Sequence, residues 1–578
     1  MQFYKKFLCF LLAAALLLVT PGTAMALEGE EVSGAEGLVQ ALDGAAGEGE
    51  IAEEAEEPDE SGDEPDEPGD EPDEEPVRTL PMINAVLAPA EDVSEYPVLL
   101  LRGGWHPMYY MEGTEEQVKV FDTDDLLSVN NFLPLLKDLV LACLIPLNWR
   151  GLSNIMVKFL WDAFGPTQVQ LDGSYDETVS CNNLELRELD DHNQMHYTVD
   201  WRRDPVDTAY DVRAFIEGFF EEHPEYDKIN ICSISGSGQA LLTYLKLFGT
   251  DVLASVFFNM SMHNGSSLFG GLATKQFGLD PTALGYLMPV KDEAGYDASD
   301  PIAIVLRIAY ELGLLSVLQK TFNFAVKHCV DRVYDEAMIP MIFTMPQMWS
   351  YVPTAQYEQA KAMLFKGDPK YDALVAKTDY YRYEILAHQD EILLKTASEV
   401  KTAVAAGYGL PVAGVVKGTD VQGDLFVDTK YASFGATCPS IDRPFPASYK
   451  QARLTDWDFM SPDRLVDAST CTLPETTWFF KYRTHRAEDS YKGWYEWFLQ
   501  EAGDYTVFGN TEEFPQFQYY ADSKANRKLD PGWEGGHNYL PVSGALPVRS
   551  TFYAPLLSVL LFLAKAWRFV LVLPIFWM

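Results

Sequence analysis

Residues 228–249 constrain this chain more than any other stretch, because a strand, a sharp turn and a helix are written there in immediate succession. Ile229 and Ile231 alternate with polar neighbours as a buried strand would, and Gln239 to Gly249 carry apolar residues at helical spacing. The join is Ser233-Ile234-Ser235-Gly236-Ser237, a small-x-Ser-x-small pentapeptide. A serine held on such a turn stands with its hydroxyl clear of the sheet, as in the G-x-S-x-G nucleophile elbow. The residues two before and two after must be small, or strand and helix cannot approach. Both are serines here, so the pattern is met in degenerate form. A Ser/Gly-rich loop without chemistry is the other reading of the same five residues.

The flanks extend the pattern. Upstream, 96–106 is an apolar strand breaking into Gly103-Gly104, and Val199-Asp200-Trp201-Arg202-Arg203-Asp204-Pro205 precedes an amphipathic run with Val212, Phe215, Ile216 and Phe219 on one face. In this order, the PVLLLRGG, DWRRDP and KINICSISGSG stretches resemble the α/β-hydrolase fold, with closest similarity to lipases of the lecithin:cholesterol acyltransferase kind. The resemblance covers residues 95–265 and 405–500. It implies an α/β architecture with a mostly parallel central sheet, flanking helices and a helical cap insertion. The chain departs from the family by serines at both elbow glycine positions, by Arg102 where lipases often carry histidine, and by Leu425 at a family glycine.

The resemblance implies Ser235 as nucleophile, with the amides of Gly236 and Gly104 as oxyanion donors. Two preorganised N–H groups are what a tetrahedral intermediate needs, although Gly103-Gly104 also reads as a plain tight turn. Acid and base are expected after the serine in chain order. The segment 410–416 reads as a late strand, and the carboxylates beyond it include Asp420 and Asp424. Asp424, with Val427 three residues on, matches the family step better, and Asp420 lies nearer the expected strand end. Of nine histidines, His485 ends an aromatic strand ahead of the last amphipathic helix, expected at 491–498, where the general base belongs in this fold; His537 is its rival. His192, His196, His328 and His388 fall in charged or cap-like sequence, and His263 precedes the acid.

With 578 residues, 47% of them hydrophobic, the chain suits one hydrolase-sized domain with insertions better than several small domains. Residues 1–26 read as an export signal: Lys5 and Lys6, an apolar run, then Ala24-Met25-Ala26. Residues 27–77 hold 22 Asp/Glu and no Lys or Arg, a self-repelling tract expected to remain disordered. Such acidity, with a net charge of −43, makes nucleic acid a poor partner. No C-x-x-C or H-E-x-x-H pattern supports zinc, and neither a metal nor another cofactor is expected. In an exported chain Cys438 and Cys471 are candidates for a bridge.

The remaining organisation follows from spacing. The hydrolase core is expected over 78–265 and again over 405–510, interrupted by a helical cap at 266–404, with helices at 302–318, 322–334, 356–365, 372–386 and 391–404. Within the cap, the Pro-bounded Met/Trp segment 338–353 reads as an acyl-binding wall or as ordinary cap core. Residues 511–550 read as an irregular tail. Residues 551–578 are long and apolar enough to span a bilayer, but Lys565 and Arg568 interrupt them, so an interfacial helix is the better account. The expectation is therefore an exported serine hydrolase, cleaving or transferring acyl esters of lipid-like substrates at a membrane surface. A silent binding module on the same fold and an exported amidase or peptidase are the alternatives.

Overall fold

A computed structural model describes residues 85–110, 118–122, 138, 148–181, 187–278, 314–412, 416–417, 421–441, 443–453, 455–483, 485, 492–522 and 525–528. The expected export signal, the acidic tract, the C-terminal segment 551–578, Asp420 and His537 lie outside these residues. Among the described residues, no helix is long and apolar enough to cross a membrane.

Eight strands form the central sheet: β1 Val98–Arg102, β2 Gln194–Thr198, β3 Ile229–Ile234, β4 Leu253–Asn259, β5 Lys401–Tyr408, β6 Thr477–Lys481, β7 Phe517–Asp522 and β8 Ala525–Lys528. Their spatial order is β8-β7-β6-β5-β4-β3-β1-β2, and every neighbouring pair is parallel except β7–β8. The four central strands β3 to β6 are buried along their whole lengths, as parallel strands covered on both faces must be.

Strand alternation then builds two cores. Leu99 and Leu101 of β1 join Ile231 and Val256 beneath helices α1 Pro205–Glu222, α2 Gly238–Phe248 and α3 Gln389–Glu399. Val98 and Leu100 point the other way, into a core that includes Phe257, Phe480 and Trp494 of helix α4 Lys492–Gln500. Local chemistry fixes the helix starts. Asp204 accepts from the Val206 amide at 2.7 Å and Pro205 supplies the first helical residue of α1. The face expected from spacing, Val212, Phe215, Ile216 and Phe219, is the buried one.

Three regions differ from what the sequence suggests. The helix expected at 391–404 ends at Glu399, and Lys401–Tyr408 is a central strand. Within the expected strand at 410–416, Leu410–Pro411 pairs with Gln422–Gly423, and 413–415 lie outside the described residues. Ala403-Val404-Ala405-Ala406-Gly407 is small and apolar throughout, and a strand buried on both faces shows no period to separate it from a helix. Because β5 is a core strand and α3 packs in the same core as α2, residues 389–404 belong with the sheet rather than with a cap. The tail expected to be irregular supplies β7 and β8, which complete the sheet edge. The interior of 314–388 is largely helical, led by Leu314–Val333, Thr354–Phe365 and Asp372–Tyr380. The expected Cys438–Cys471 bridge is not formed; both are free thiols.

Candidate active site

Ser235, Asp424, His485 and the Gly103-Gly104 pair all lie just beyond the carboxyl ends of parallel strands (β3, β5, β6 and β1), where ligands of open parallel sheets bind. At the serine, the chain leaves β3 through Ile234 in extended conformation and enters a short helical turn with Ser235 at φ 61°. A non-glycine residue in the left-handed region stores strain on the order of 1–3 kcal/mol. Neighbouring bonds hold it there. The Ser237 hydroxyl accepts from the Ile234 amide at 2.9 Å and is placed to donate to Leu101 O at 2.7 Å, while the Met262 amide donates to Ser235 O at 2.9 Å.

The serines at the elbow's glycine positions are thus accounted for unequally. Ser237 uses its hydroxyl to tie the turn to β1. The close approach falls instead on Gly238, where a Cβ would stand 1.7 Å from Ser261 Oγ. Ser233 is wholly buried, and its hydroxyl has no partner among the described residues.

The loop after β1 nests against this turn. A Cβ on Gly103 would lie 2.1 Å from the Ser237 nitrogen and 2.3 Å from the Gly236 carbonyl carbon, so only glycine permits the contact. The Gly103 amide donates to Ile234 O at 3.1 Å, and Gly104 follows at φ 129°. The Asp-Trp-Arg-Arg stretch braces the loop from outside: the Trp201 indole donates to His106 O at 3.2 Å and its ring packs on Trp105. Beside it, Arg202 forms a buried forked pair with Asp200. Arg102 is exposed at the strand end.

Asp424 is 1% exposed. Its Oδ1 accepts from the amides of Phe426 and Val427 at 3.0 and 2.7 Å, and its Oδ2 lies 2.7 Å from His485 Nδ1. Its backbone carbonyl accepts from the His485 amide at 3.0 Å, so main chain and side chain both fix the imidazole. His485 Nε2 lies 2.6 Å from Ser235 Oγ. Two backbone features permit this placement. Gly407 of β5 leaves room for Asp424, since a Cβ there would come within 2.7 Å of the Asp424 Cβ. Leu425, where the resemblance implies a glycine, is held at φ 80°, the left-handed conformation that glycine adopts without penalty.

Several neighbours carried no sequence pattern. Phe426 stacks on His485 with centroids 5.5 Å apart, and the Met262 sulfur lies 3.9 Å from Ser235 Oγ. Gln347 and Tyr351 reach Gly236 from the Met/Trp segment, whose Met341, Met345, Met348 and Trp349 are buried as packed core. The other described histidines stand apart from the triplet. His263 is buried against Phe434, with ring centroids 3.5 Å apart. His196 lies by Asp190, His328 on Trp149 and His388 by Glu391.

The arrangement can pass a proton from a hydroxyl to an imidazole whose second nitrogen faces a carboxylate. No family model and no curated protein matches the chain. Among solved structures, a chain of "The crystal structure of Tle4-Tli4 complex" is similar over 54% of this chain and 74% of that one, at 11% sequence identity and a TM-score of 0.24. A likeness at that score fixes neither topology nor chemistry, so the functional reading rests on the residues themselves.

Proposed function

We propose that this chain is a serine hydrolase of the α/β-hydrolase kind that cleaves or transfers acyl esters of lipid-like substrates. The observation that supports this most is the continuous contact from Ser235 Oγ through His485 to Asp424, at 2.6 and 2.7 Å, on a serine at positive φ between strand and helix. The chain order serine, acid, histidine agrees with that fold.

In the proposed reaction His485 Nε2 takes the Ser235 proton as Oγ attacks the substrate carbonyl carbon. The carbonyl π electrons move onto oxygen, and the Gly236 and Gly104 amides donate to that oxyanion. Collapse breaks the ester C–O bond, and the departing alkoxide takes the proton from Nε2. Water, or an acceptor alcohol, then attacks the acyl-enzyme with the same base, restoring Ser235. Asp424 holds the imidazole tautomer with Nδ1 protonated and stabilises the imidazolium.

The aromatic and thioether neighbours, Phe426 and Met262, favour an apolar acyl group over a charged one. The proposed setting is outside the cytoplasm, with residues 551–578 at a membrane surface; liposome flotation of the full chain against one ending at Val548 tests that placement. The reading itself is tested with a fluorophosphonate probe. One equivalent should label the wild type, and Ser235→Ala should abolish both labelling and turnover of a short-chain ester. Labelling that persists in Ser235→Ala removes the assignment. Turnover of a matched anilide with no turnover of the ester replaces esterase by amidase.

A further inference from the structure

Glycine at 236 creates a difficulty that the cap resolves. Its Cβ position is occupied: a methyl there would stand 2.4 Å from the Tyr351 hydroxyl. A residue without a Cβ is also the one whose backbone turns most freely, yet an amide that stabilises a transition-state charge must be aimed beforehand. Something outside the elbow has to hold it.

Two buried donors of the segment 346–351 meet there. Gln347, 0% exposed, donates from Nε2 to Gly236 O at 3.0 Å, and the Tyr351 hydroxyl approaches the same oxygen at 3.4 Å. The Gln347 amide nitrogen also lies 3.5 Å from Gln239 Oε1, and Gln239 Nε2 donates to Met262 O at 2.5 Å. Met262 in turn gives its amide to Ser235 O. The peptides on both sides of Gly236 are thereby tied, one to Met262 and one to the cap. The segment is braced from behind as well. Buried Arg382 donates to the carbonyls of Trp349 and Val352, and the Ser266 amide donates to Tyr351 O.

Gln347 is a poor choice for packing alone, because its Oε1 is buried without a partner among the described residues. An unsatisfied buried acceptor is destabilising, and an apolar side chain of similar size would avoid that cost.

From this geometry we infer that Gln347 and Tyr351 are positioning residues for the oxyanion amide of Gly236, so that this stretch of the cap is a fixed wall of the active site. The inference rests on the hydrolase reading above. Gln347→Met keeps the volume and removes the donor. Measured per site titrated with fluorophosphonate, kcat on a short-chain ester should fall about 10- to 100-fold, with KM within about twofold. The inhibition constant of butyl boronic acid, whose adduct with Ser235 places an oxygen in the oxyanion position, should rise by the same factor. The melting temperature should hold or increase, which a merely structural role does not predict.

Should Gln347→Met not fold, Tyr351→Phe carries the test, with about a threefold to tenfold loss in kcat and the same parallel in the boronic acid constant. A wild type that titrates at Ser235 beside a folded variant with full kcat overturns this inference alone. So does a lower kcat with unchanged boronic acid affinity. A wild type that neither titrates nor turns over overturns the hydrolase reading beneath it.

Discussion

The two halves of the candidate site are built on different principles. The serine half is local: within residues 229–248 a strand, a turn and a helix place Ser235, and a short loop after β1 closes on it backbone to backbone. The acid–base half is assembled across 61 positions, from Asp424 after β5 and His485 after β6, joined by one backbone bond and one side-chain contact. Strain is present on both sides, at Ser235 and at Leu425, both in the left-handed region. Each is held by hydrogen bonds from separate segments: Ser235 by its own helix, β1 and the loop after β4, and the turn at 424–427 by its own amides, by His485 and by Ser266. The acid–base half should therefore respond to any shift between β5 and β6, and the serine half to change in the distant segment that reaches Gly236.

The largest expected effect breaks the acid–base half chemically while leaving its shape. Asp424→Asn retains the acceptor for the Phe426 and Val427 amides, yet an amide nitrogen or a neutral oxygen facing His485 Nδ1 no longer selects the productive tautomer. Ester turnover should fall on the order of 10⁴-fold with little change in melting temperature. A loss below about tenfold would mean that another carboxylate, with Asp420 the candidate from sequence, orients the histidine.

A smaller effect displaces the acid without altering it. Gly407→Ala sets a methyl within 2.7 Å of the Asp424 Cβ and 3.0 Å of Arg483 O, and neither backbone can retreat easily. Overpacking of this kind costs about 1–3 kcal/mol of stability, and the misplaced imidazole should cost on the order of 10²-fold in kcat. Fluorophosphonate labelling should slow by a similar factor, since it uses the same base. If the variant loses stability while its turnover per titrated site is unchanged, the acid–base half is more forgiving than its geometry implies.

Legibility followed the same division. Ser235 and the β3–α2 unit are readable because the strand, the turn and the helix are contiguous within 228–249, where spacing and small residues speak directly. Asp424 and His485 are legible only through their order after the serine, and the strand beside Asp424 reads in sequence as the end of a helix. Lys401–Tyr408 is buried on both faces and rich in alanine, so it carries no alternation, and its length fits either a strand or a short helix. The aromatic run that forms β7 lies late in the chain, next to the edge strand β8, and no motif announces it. The contacts of Gly407, and those of Gln347 and Tyr351 within the segment 338–353, have no local sign for a further reason: each falls on a backbone atom or a Cβ more than 15 residues away.

The smallest effect probes the floor of the serine half. His263 lies beneath the elbow, wholly buried, stacked on Phe434 and 3.4 Å from Ser261 Oγ, and its Nε2 has no partner among the described residues. Burial pushes its pKa down from 6.5 to about 3. Between those values the unfolded chain binds a proton that the native protein refuses, so stability falls as pH falls through this window. Above about pH 6.5 the group contributes no such penalty. Each pH unit below it should cost up to ~1.4 kcal/mol, or about 2 kcal/mol by pH 5. The carboxylates titrate in the same range, so the wild-type curve alone cannot isolate the histidine. His263→Gln keeps a neutral polar side chain under the elbow and removes the titration. The difference between wild-type and variant unfolding free energies, from urea denaturation at pH 7.5, 6.5, 5.5 and 5.0, should be flat above pH 6.5 and shift toward the variant below it. A difference that stays level to pH 5 would mean that His263 accepts a proton in the native state, and hence that the floor of the elbow admits water.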